Sequence, residues 1–329
     1  MKEVVRTLLQ KGQEKLARAG ITDAAFDSKS LLSFVLSVPF SKLFFHYDDI
    51  VKDDDKTMYE ELIQKRISGV PLQYITNEQE FMGLSFYVDP RVLIPRLDTE
   101  ILVETALEYM RNDMNMRDAI AKSGPDGADH AGKAGDTFRV LDLCCGSGAI
   151  GLSIAALMEK AQVTLTDISE GALEVTKKNA ENLGVADKVV ILKGDLFDAV
   201  PDAVPDGAHA VDAADAGQSG RPYDQSLYDL IISNPPYIET DVIGTLDTEV
   251  KDHEPVLALD GGSDGLDIYR RILQKAPEHL TRGGCLMMEI GCDQADPIKE
   301  LAAGSGRFCD IKVKKDLAGL DRVVIAKVQ

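Results

Sequence analysis

Asn234-Pro235-Pro236-Tyr237 closes a short apolar, β-branched run over 228–232. Such a run predicts a buried strand. Through Ser233, the Asn234 amide then sits at a strand's carboxyl end, where open α/β sheets place their ligands. Each proline fixes its own φ and pushes the preceding residue out of the α region, so the turn is stiff. The Pro235 nitrogen has no hydrogen to donate. What the turn offers is acceptors, the Asn234 side-chain oxygen and backbone carbonyls, with Tyr237 as a flat wall. These residue types suit a planar NH2 group, gripped by its hydrogens while its nitrogen attacks an electrophile. Alone, an Asn-Pro-Pro is more simply a proline turn with a helix-capping Asn. A second motif upstream shifts the balance.

That motif is Val140-Leu141-Asp142-Leu143-Cys144-Cys145-Gly146-Ser147-Gly148-Ala149-Ile150-Gly151. It reads as a buried strand, a glycine turn and a helix start, with glycines that let backbone approach a ligand closely. The spacing of Gly146, Gly148 and Gly151 matches a dinucleotide fingerprint, a weak signal alone. Asp142 precedes the glycines, where its carboxylate can order the turn or meet a cation. The next strand ends in Asp167, about twenty residues beyond, placed to accept the hydroxyls of a ribose. A third acid, Asp195, is followed by Leu196 and Phe197, an apolar edge suited to adenine. An acid before the glycines is a poor neighbour for pyrophosphate. It suits S-adenosylmethionine, whose sulfonium and amino groups are cationic. Asp142 and Asp195 read equally well as strand-end turn residues.

The pairing of 142–148 with Asn234-Pro235-Pro236-Tyr237 resembles class I S-adenosylmethionine-dependent methyltransferases that alkylate amide or exocyclic amine nitrogens. More closely, the chain is similar to the peptide-chain release factor glutamine N5-methyltransferases, the PrmC/HemK family. The resemblance runs through 69–75, 92–96 with Asp98-Thr99-Glu100, Glu254-Pro255 with Ala258-Leu259, 261–267, and Glu289-Ile290-Gly291 with Gln294. It implies an α/β fold, a seven-stranded Rossmann-like class I methyltransferase sheet with a small N-terminal helical domain. It implies methyl transfer from S-adenosyl-L-methionine to the side-chain amide (N5) of the GGQ-motif glutamine in release factors, leaving S-adenosyl-L-homocysteine. The cofactor residues it implies are Asp142, Leu143, Cys144, Cys145, Gly146, Asp167, Leu196 and Asn234, with Asp195 added as the third strand-end acid. Asn234, Pro235, Pro236 and Tyr237 would hold the glutamine; Asn234, Pro235 and Tyr237 would be catalytic. The chain departs from the family at Cys144-Cys145, where members often carry Gly-Thr or Cys-Thr, and at Leu196, where some carry Trp.

Composition bounds the alternatives. The chain has 329 residues, 44% of them hydrophobic, and a formal charge of −19. Nucleic-acid affinity rests largely on Lys and Arg, so the charge argues against a partner bound by its phosphates and against an N6-adenine DNA methyltransferase, which would flip its base into a similar pocket. A nicotinamide-binding or nucleotide-binding module of the same fold gives Asn-Pro-Pro-Tyr no role. Five cysteines without paired spacing point to a reducing cytoplasm, and no metal site is expected. The start of the chain shows no signal peptide, and no run of about eighteen apolar residues could span a bilayer. The expected partner is a release factor, with no direct nucleic-acid or membrane contact, and the expected state is a monomer.

Several elements must position these residues. Residues 1–75 predict a helical substrate-recognition domain. Its stripes are Val4, Val5, Leu8, Leu9 and Leu16; then Phe26, Leu31, Leu32, Phe34 and Val35; then Met58, Leu62 and Ile63. Residues 76–98 predict a hairpin linker turning at Gly83. Residues 99–329 predict the methyltransferase domain, opening with a helix capped by Asp98 or Thr99 that runs to about 110. Two low-complexity insertions are expected, about 111–136 and 199–226. Strands are expected at 139–143, 163–167, 189–192, 229–233 and 285–290, with 310–313 and 322–326 as an antiparallel edge, and helices between them. No histidine lies near the motifs; His253 is closest and reads as structural. An amide nitrogen, its lone pair delocalised, needs acceptors that favour its developing charge more than it needs a strong base.

Overall fold

A computed structural model describes residues 3–123, 137–200 and 227–329. Four helices come first: α1 (Val5–Arg18), α2 (Ala24–Leu36), α3 (Asp53–Ile67) and α4 (Leu72–Thr76). A hairpin of β1 (Gln79–Phe81) and β2 (Leu84–Phe86) leads to α5 (Glu100–Ser123). The chain then runs β3 (Phe138–Leu143), α6 (Ala149–Leu157), β4 (Ala161–Asp167), α7 (Glu170–Asn182), β5 (Val189–Lys193), β6 (Tyr228–Ser233), α8 (Thr240–Ile243), α9 (Thr248–Lys251), α10 (Asp267–His279), β7 (Leu280–Glu289), α11 (Ala295–Gly304), β8 (Phe308–Lys315) and β9 (Asp321–Val328).

Seven strands form one sheet in the order β5-β4-β3-β6-β7-β9-β8. The first five are parallel; β9 pairs antiparallel with both β7 and β8. This is the Rossmann-like class I methyltransferase sheet. Its central strands β3 and β6 are buried along almost their whole length because both faces are covered. On β6, Leu230 and Ile232 enter one core cluster while Ile231 enters the other; on β3, Val140 and Leu141 divide the same way. Strand order reverses between β4-β3 and β6, which opens a crevice beyond the carboxyl ends of β3 and β6. Register places Asp142 opposite Ile232 and Leu143 opposite Ser233, so the glycine turn and the Asn-Pro-Pro-Tyr turn leave the sheet side by side.

By its internal contacts the chain divides into two units. The sheet unit comprises the described residues of Gln79–Tyr87, Arg91–Thr245 and Pro255–Gln329. Its hairpin turns at Met82 and Gly83, both at positive φ, and buries Phe81 and Phe86 against Leu102, Val103 and Ala106 of α5. Helix α5 runs past the expected end near 110 to Ser123. No Gly or Pro interrupts 100–123, and the first breaker pair is Gly124-Pro125. Residues 111–123 are therefore helical. Residues 124–136 and 201–226 of the two expected insertions lie outside the described residues. Among the described residues no helix is long and apolar enough to cross a membrane.

The helical unit comprises the residues up to Glu78, with Val88–Pro90 and Leu246–Glu254. Leu8, Leu16, Leu31, Leu32, Leu62 and Ile63 form its core. Gly12 lets Tyr59 lie against α1, where the Tyr59 hydroxyl meets Ser28 Oγ at 2.7 Å. Phe26, Phe34 and Met58, expected inside, are instead exposed; on α2 the buried face is Asp27, Ser28, Leu31 and Leu32. The reason is a buried ion cluster. Arg66 Nε donates to Asp27 at 2.6 Å, its Nη2 to Glu249 at 2.6 Å and its Nη1 to the Val70 carbonyl at 3.3 Å. Asp27 must face Arg66, which turns Phe26 outward. Desolvation raises the Asp27 pKa even with Arg66 beside it. Removing one partner of such a cluster strands a buried charge. Arg66→Met should therefore destabilise the helical unit by about 3 kcal/mol, read as a lower urea midpoint by circular dichroism; an unchanged midpoint would mean the cluster is not holding that unit together.

Candidate active site

The glycine turn is built around two carboxylates. Asp142, fully buried at the end of β3, accepts from the Gly151 N–H at 2.9 Å through Oδ2. That bond holds the first turn of α6 and explains Gly151, where a Cβ would stand 2.8 Å from the same oxygen. Asp142 Oδ1 is buried and has no hydrogen-bond partner among the described residues. Burial pushes the Asp142 carboxyl up to about 8, against the Gly151 bond, and Asp167 adds to the rise. Asp167, at the end of β4, accepts from Gly146 N–H at 2.9 Å and Ser169 N–H at 2.8 Å. Its carboxyl is raised by burial, which those bonds oppose. Asp167 thus ties β4 to the glycine turn. Among the described residues, a Cβ on Gly146 would meet nothing within 4 Å.

Leu143, Cys144 and Cys145 complete the turn. The Leu143 carbonyl accepts from Ser233 Oγ at 2.8 Å, joining the two motif turns. Cys144 stands at φ 59° and hydrogen-bonds Ser233; Cys145 is buried against Thr176. Burial raises both thiols. On the next strand end, Asp195 pairs with Arg271 at 2.8 Å. Leu196 is buried at φ 54°. Phe197, expected beside it as part of an apolar rim, stacks on His279 at 4.6 Å inside the core, so its ring face is already used.

The Asn-Pro-Pro-Tyr turn is clamped from several sides. Ile238 N–H donates to the Leu259 carbonyl at 2.9 Å, and Gly261 N–H to the Ile238 carbonyl at 2.8 Å. A Cβ on Gly261 would come 2.7 Å from Tyr237 Cα and 2.9 Å from the Pro236 carbonyl. Gln294 Nε2 donates to the Tyr237 carbonyl at 2.9 Å, while its Oε1 accepts from Gly291 N–H at 2.9 Å. Pro235 is buried; Asn234, Pro236 and Tyr237 are half-buried.

Side chains then set the polarity of the pocket. Asn234 Nδ2 donates to Thr99 Oγ1 at 3.3 Å. Thr99 is buried and also hydrogen-bonds the Glu289 carboxyl. Tyr237 Oη donates to Glu289 Oε1 at 3.4 Å. An ionised carboxylate only accepts, so Thr99 gives its proton to Glu289 and takes one from Asn234. Asn234 Oδ1 remains as an acceptor. Glu289, at 2% exposure, is raised to about 7 by desolvation, which Thr99 and the Arg322 charge oppose. Tyr237 is raised to about 12, first by burial and then by Glu289. Arg322 Nη2 bonds Asp316 at 3.0 Å and Asp98 at 3.1 Å.

Asp98-Thr99-Glu100, where the sequence predicts a helix cap, makes three further contacts: Asp98 meets Arg322, Thr99 meets Asn234, and Glu100 accepts from Met82 N–H at 2.6 Å. Glu289 and Gln294 had been quoted without a role. Glu289 had a signal in the sequence, an acid between the apolar Met288 and Ile290; Gln294, between Asp293 and Ala295, had none. His253 belongs to the helical unit, near Gly69.

Comparison with known proteins bears on this site. Residues 7–76 match a family described as PrmC N-terminal domain, and residues 135–307 one described as methyltransferase domain. A release factor glutamine methyltransferase of Clostridium acetobutylicum is 38% identical over 91% of this chain and 90% of its own. Proteins of the same name from Geobacter sulfurreducens and Moorella thermoacetica are 36% and 34% identical, each over 98% of this chain and over 96% and 98% of their own.

Two buried acids with raised pKa values have a consequence for stability. Both folded values lie above the unfolded ones, so the stability they contribute is complete below about pH 4 and is lost as pH rises, through about 7 for Glu289 and about 8 for Asp142. Asp142→Asn should remove a slope of about 1.4 kcal/mol per pH unit between pH 5 and 8. Differential scanning of the ligand-free variant and parent across that range reads it; parallel curves would mean Asp142 is ionised throughout.

Proposed function

Because the chain belongs to the family of release factor glutamine methyltransferases, we propose that it methylates the side-chain amide nitrogen (N5) of the GGQ-motif glutamine in peptide-chain release factors. S-adenosyl-L-methionine, when bound, supplies an electrophilic methyl group on a sulfonium. Asp142, Leu143, Cys144, Cys145, Gly146, Asp167, Asp195, Leu196 and Asn234 hold that cofactor. Among the described residues, Asp142 Oδ1 is buried without a partner and a Cβ on Gly146 would meet nothing within 4 Å, which fits a cationic ligand lying across the turn. Residues 1–75 recognise the release factor, 76–98 connect, and 99–329 carry the transfer. The enzyme works in the cytoplasm as a monomer and has no direct nucleic-acid or membrane partner.

One observation carries the reading: Asn234 donates inward to Thr99 and keeps Oδ1 as an acceptor. An amide substrate needs acceptors for its N–H bonds, and Asn234 Oδ1 with the Pro235 carbonyl provides them. They favour the geometry in which the nitrogen lone pair leaves conjugation. Tyr237 packs on the planar amide. The nitrogen turns acidic only on alkylation, so the pocket works without a strong base.

Labelled methyl transfer with purified release factor, and with duplex DNA in parallel, tests the proposal. Label on the glutamine of the release factor is expected; label on adenine alone would replace it with DNA methylation. Asn234→Asp should be as poor as Asn234→Ala, each down at least about a hundredfold, because Asp loses the donor to Thr99 and faces Glu289 with a second charge. Partial activity in Asp would mean that only the acceptor matters. Cofactor binding at Asp142 should also expel a proton below pH about 8. Calorimetry in buffers of different ionisation heat at pH 7 should show release, and none for Asp142→Asn; no release from the parent would remove the ion contact.

A further inference from the structure

Glu289 has a place that the transfer reaction as described above does not use. It ends β7, one residue beyond the pair Met288 opposite Ser233, so it stands beside the strand end that carries Asn234. Tyr269 Oη donates to its backbone carbonyl at 2.7 Å and fixes that strand end. Its carboxyl touches Tyr237 directly and reaches Asn234 through Thr99. Both side chains that would flank the substrate amide therefore take their orientation from one buried group. Oε2 is buried without a hydrogen-bond partner among the described residues, which do not meet the full acceptor capacity of the carboxylate.

We propose that Glu289 is the positioning residue of the amide pocket: as a carboxylate it compels Thr99 and Tyr237 to donate to it, and thereby holds Asn234 with its oxygen toward the substrate. The proposal rests on the glutamine-amide reading above. The physics is one of donor and acceptor counting. A charged Glu289 has no hydrogen, so Thr99 must point its proton at it and can only accept from Asn234. A neutral Glu289 has a hydrogen of its own. Thr99 can then accept from it and donate to Asn234 instead. The Asn234 amide turns over to meet that donor and presents Nδ2 to the substrate, a donor against a donor. One hydrogen bond of ordinary strength, about 1.4 kcal/mol, sets roughly a tenfold ratio between the two orientations.

The charged and titratable groups around Glu289 are Arg322 of β9, Asp98 before α5, Tyr237 after β6 and Tyr269 of α10. Arg322 is itself engaged by Asp316 and Asp98, and Arg96 acts on Tyr237. Burial leaves the charge of Glu289 open to loss near neutral pH, at about 7. Turnover limited by this group then rises with pH across neutrality. This limb is separable from Asp142 because saturating cofactor holds Asp142 in one state.

Glu289→Gln keeps the shape and supplies a permanent donor. The test is kcat on release factor at saturating S-adenosylmethionine between pH 5.5 and 8.5, alongside cofactor affinity and thermal midpoint. The expected result at pH 8 is a kcat lower by about tenfold, with cofactor affinity unchanged and a midpoint no lower than the parent's, since a buried charge is gone. The acid limb of the parent should be absent from the variant. A variant with parental kcat overturns the proposal. So does a variant of reduced kcat that keeps the acid limb, because a merely structural role leaves that limb in place. A parent that transfers no methyl to release factor sinks the glutamine reading instead, and is told apart by that control.

Discussion

A buried carboxylate must be met by donors, and the pocket depends on how Glu289 meets that demand. At 2% exposure it has Tyr237 and Thr99 as donors and the positive charge of Arg322 nearby. Those donors are the same groups that would fix the walls of the proposed amide site. Thr99 cannot serve Glu289 and leave Asn234 free to rotate, so a constraint at the strand end of β7 becomes an orientation at the strand end of β6. The sheet makes this possible: β6 and β7 are parallel neighbours, buried on both faces, and present their last residues together.

The glycine turn follows the same logic with a different outcome. Asp142 spends one oxygen on the helix start at Gly151 and leaves the other unmet in the interior. Asp167 spends both oxygens on backbone N–H groups of the turn and the next helix. Asp142 organises the helix start and Asp167 shapes the loop. Both are expensive to ionise without a ligand, and that is characteristic of functional sites, where environments push titratable groups away from their ordinary range.

Much of this was legible in the sequence because it rests on local pattern. Apolar β-branched runs gave the strands, the alternation with helices gave the parallel sheet, and the glycine run and Asn-Pro-Pro-Tyr marked the turns that leave β3 and β6 side by side. What stayed hidden rests on contacts between residues far apart in the chain. Thr99 read as a helix cap, and its partner Asn234 lies on another strand end. Phe26 looked like core because it is aromatic, yet Asp27 beside it must reach Arg66. Leu246–Glu254 lies in sequence within the methyltransferase half but groups with the helical unit, through a Glu249 that no periodicity would single out. Helix α5 continues past 110 into a stretch of insertion-like composition, because the helix breakers begin only at Gly124.

Thr99→Val offers the most direct measurement of the claim that the polarity of the pocket makes it an amide methylation site. It removes one hydroxyl and keeps the branched shape, so it cuts Asn234 from Glu289 without touching the cofactor turn. Single-turnover methyl transfer to release factor, at saturating labelled S-adenosylmethionine, should slow by about tenfold or more in a protein that binds cofactor like the parent. Parental transfer by a folded Thr99→Val protein would contradict the account, because Asn234 would then hold the substrate amide without being held itself.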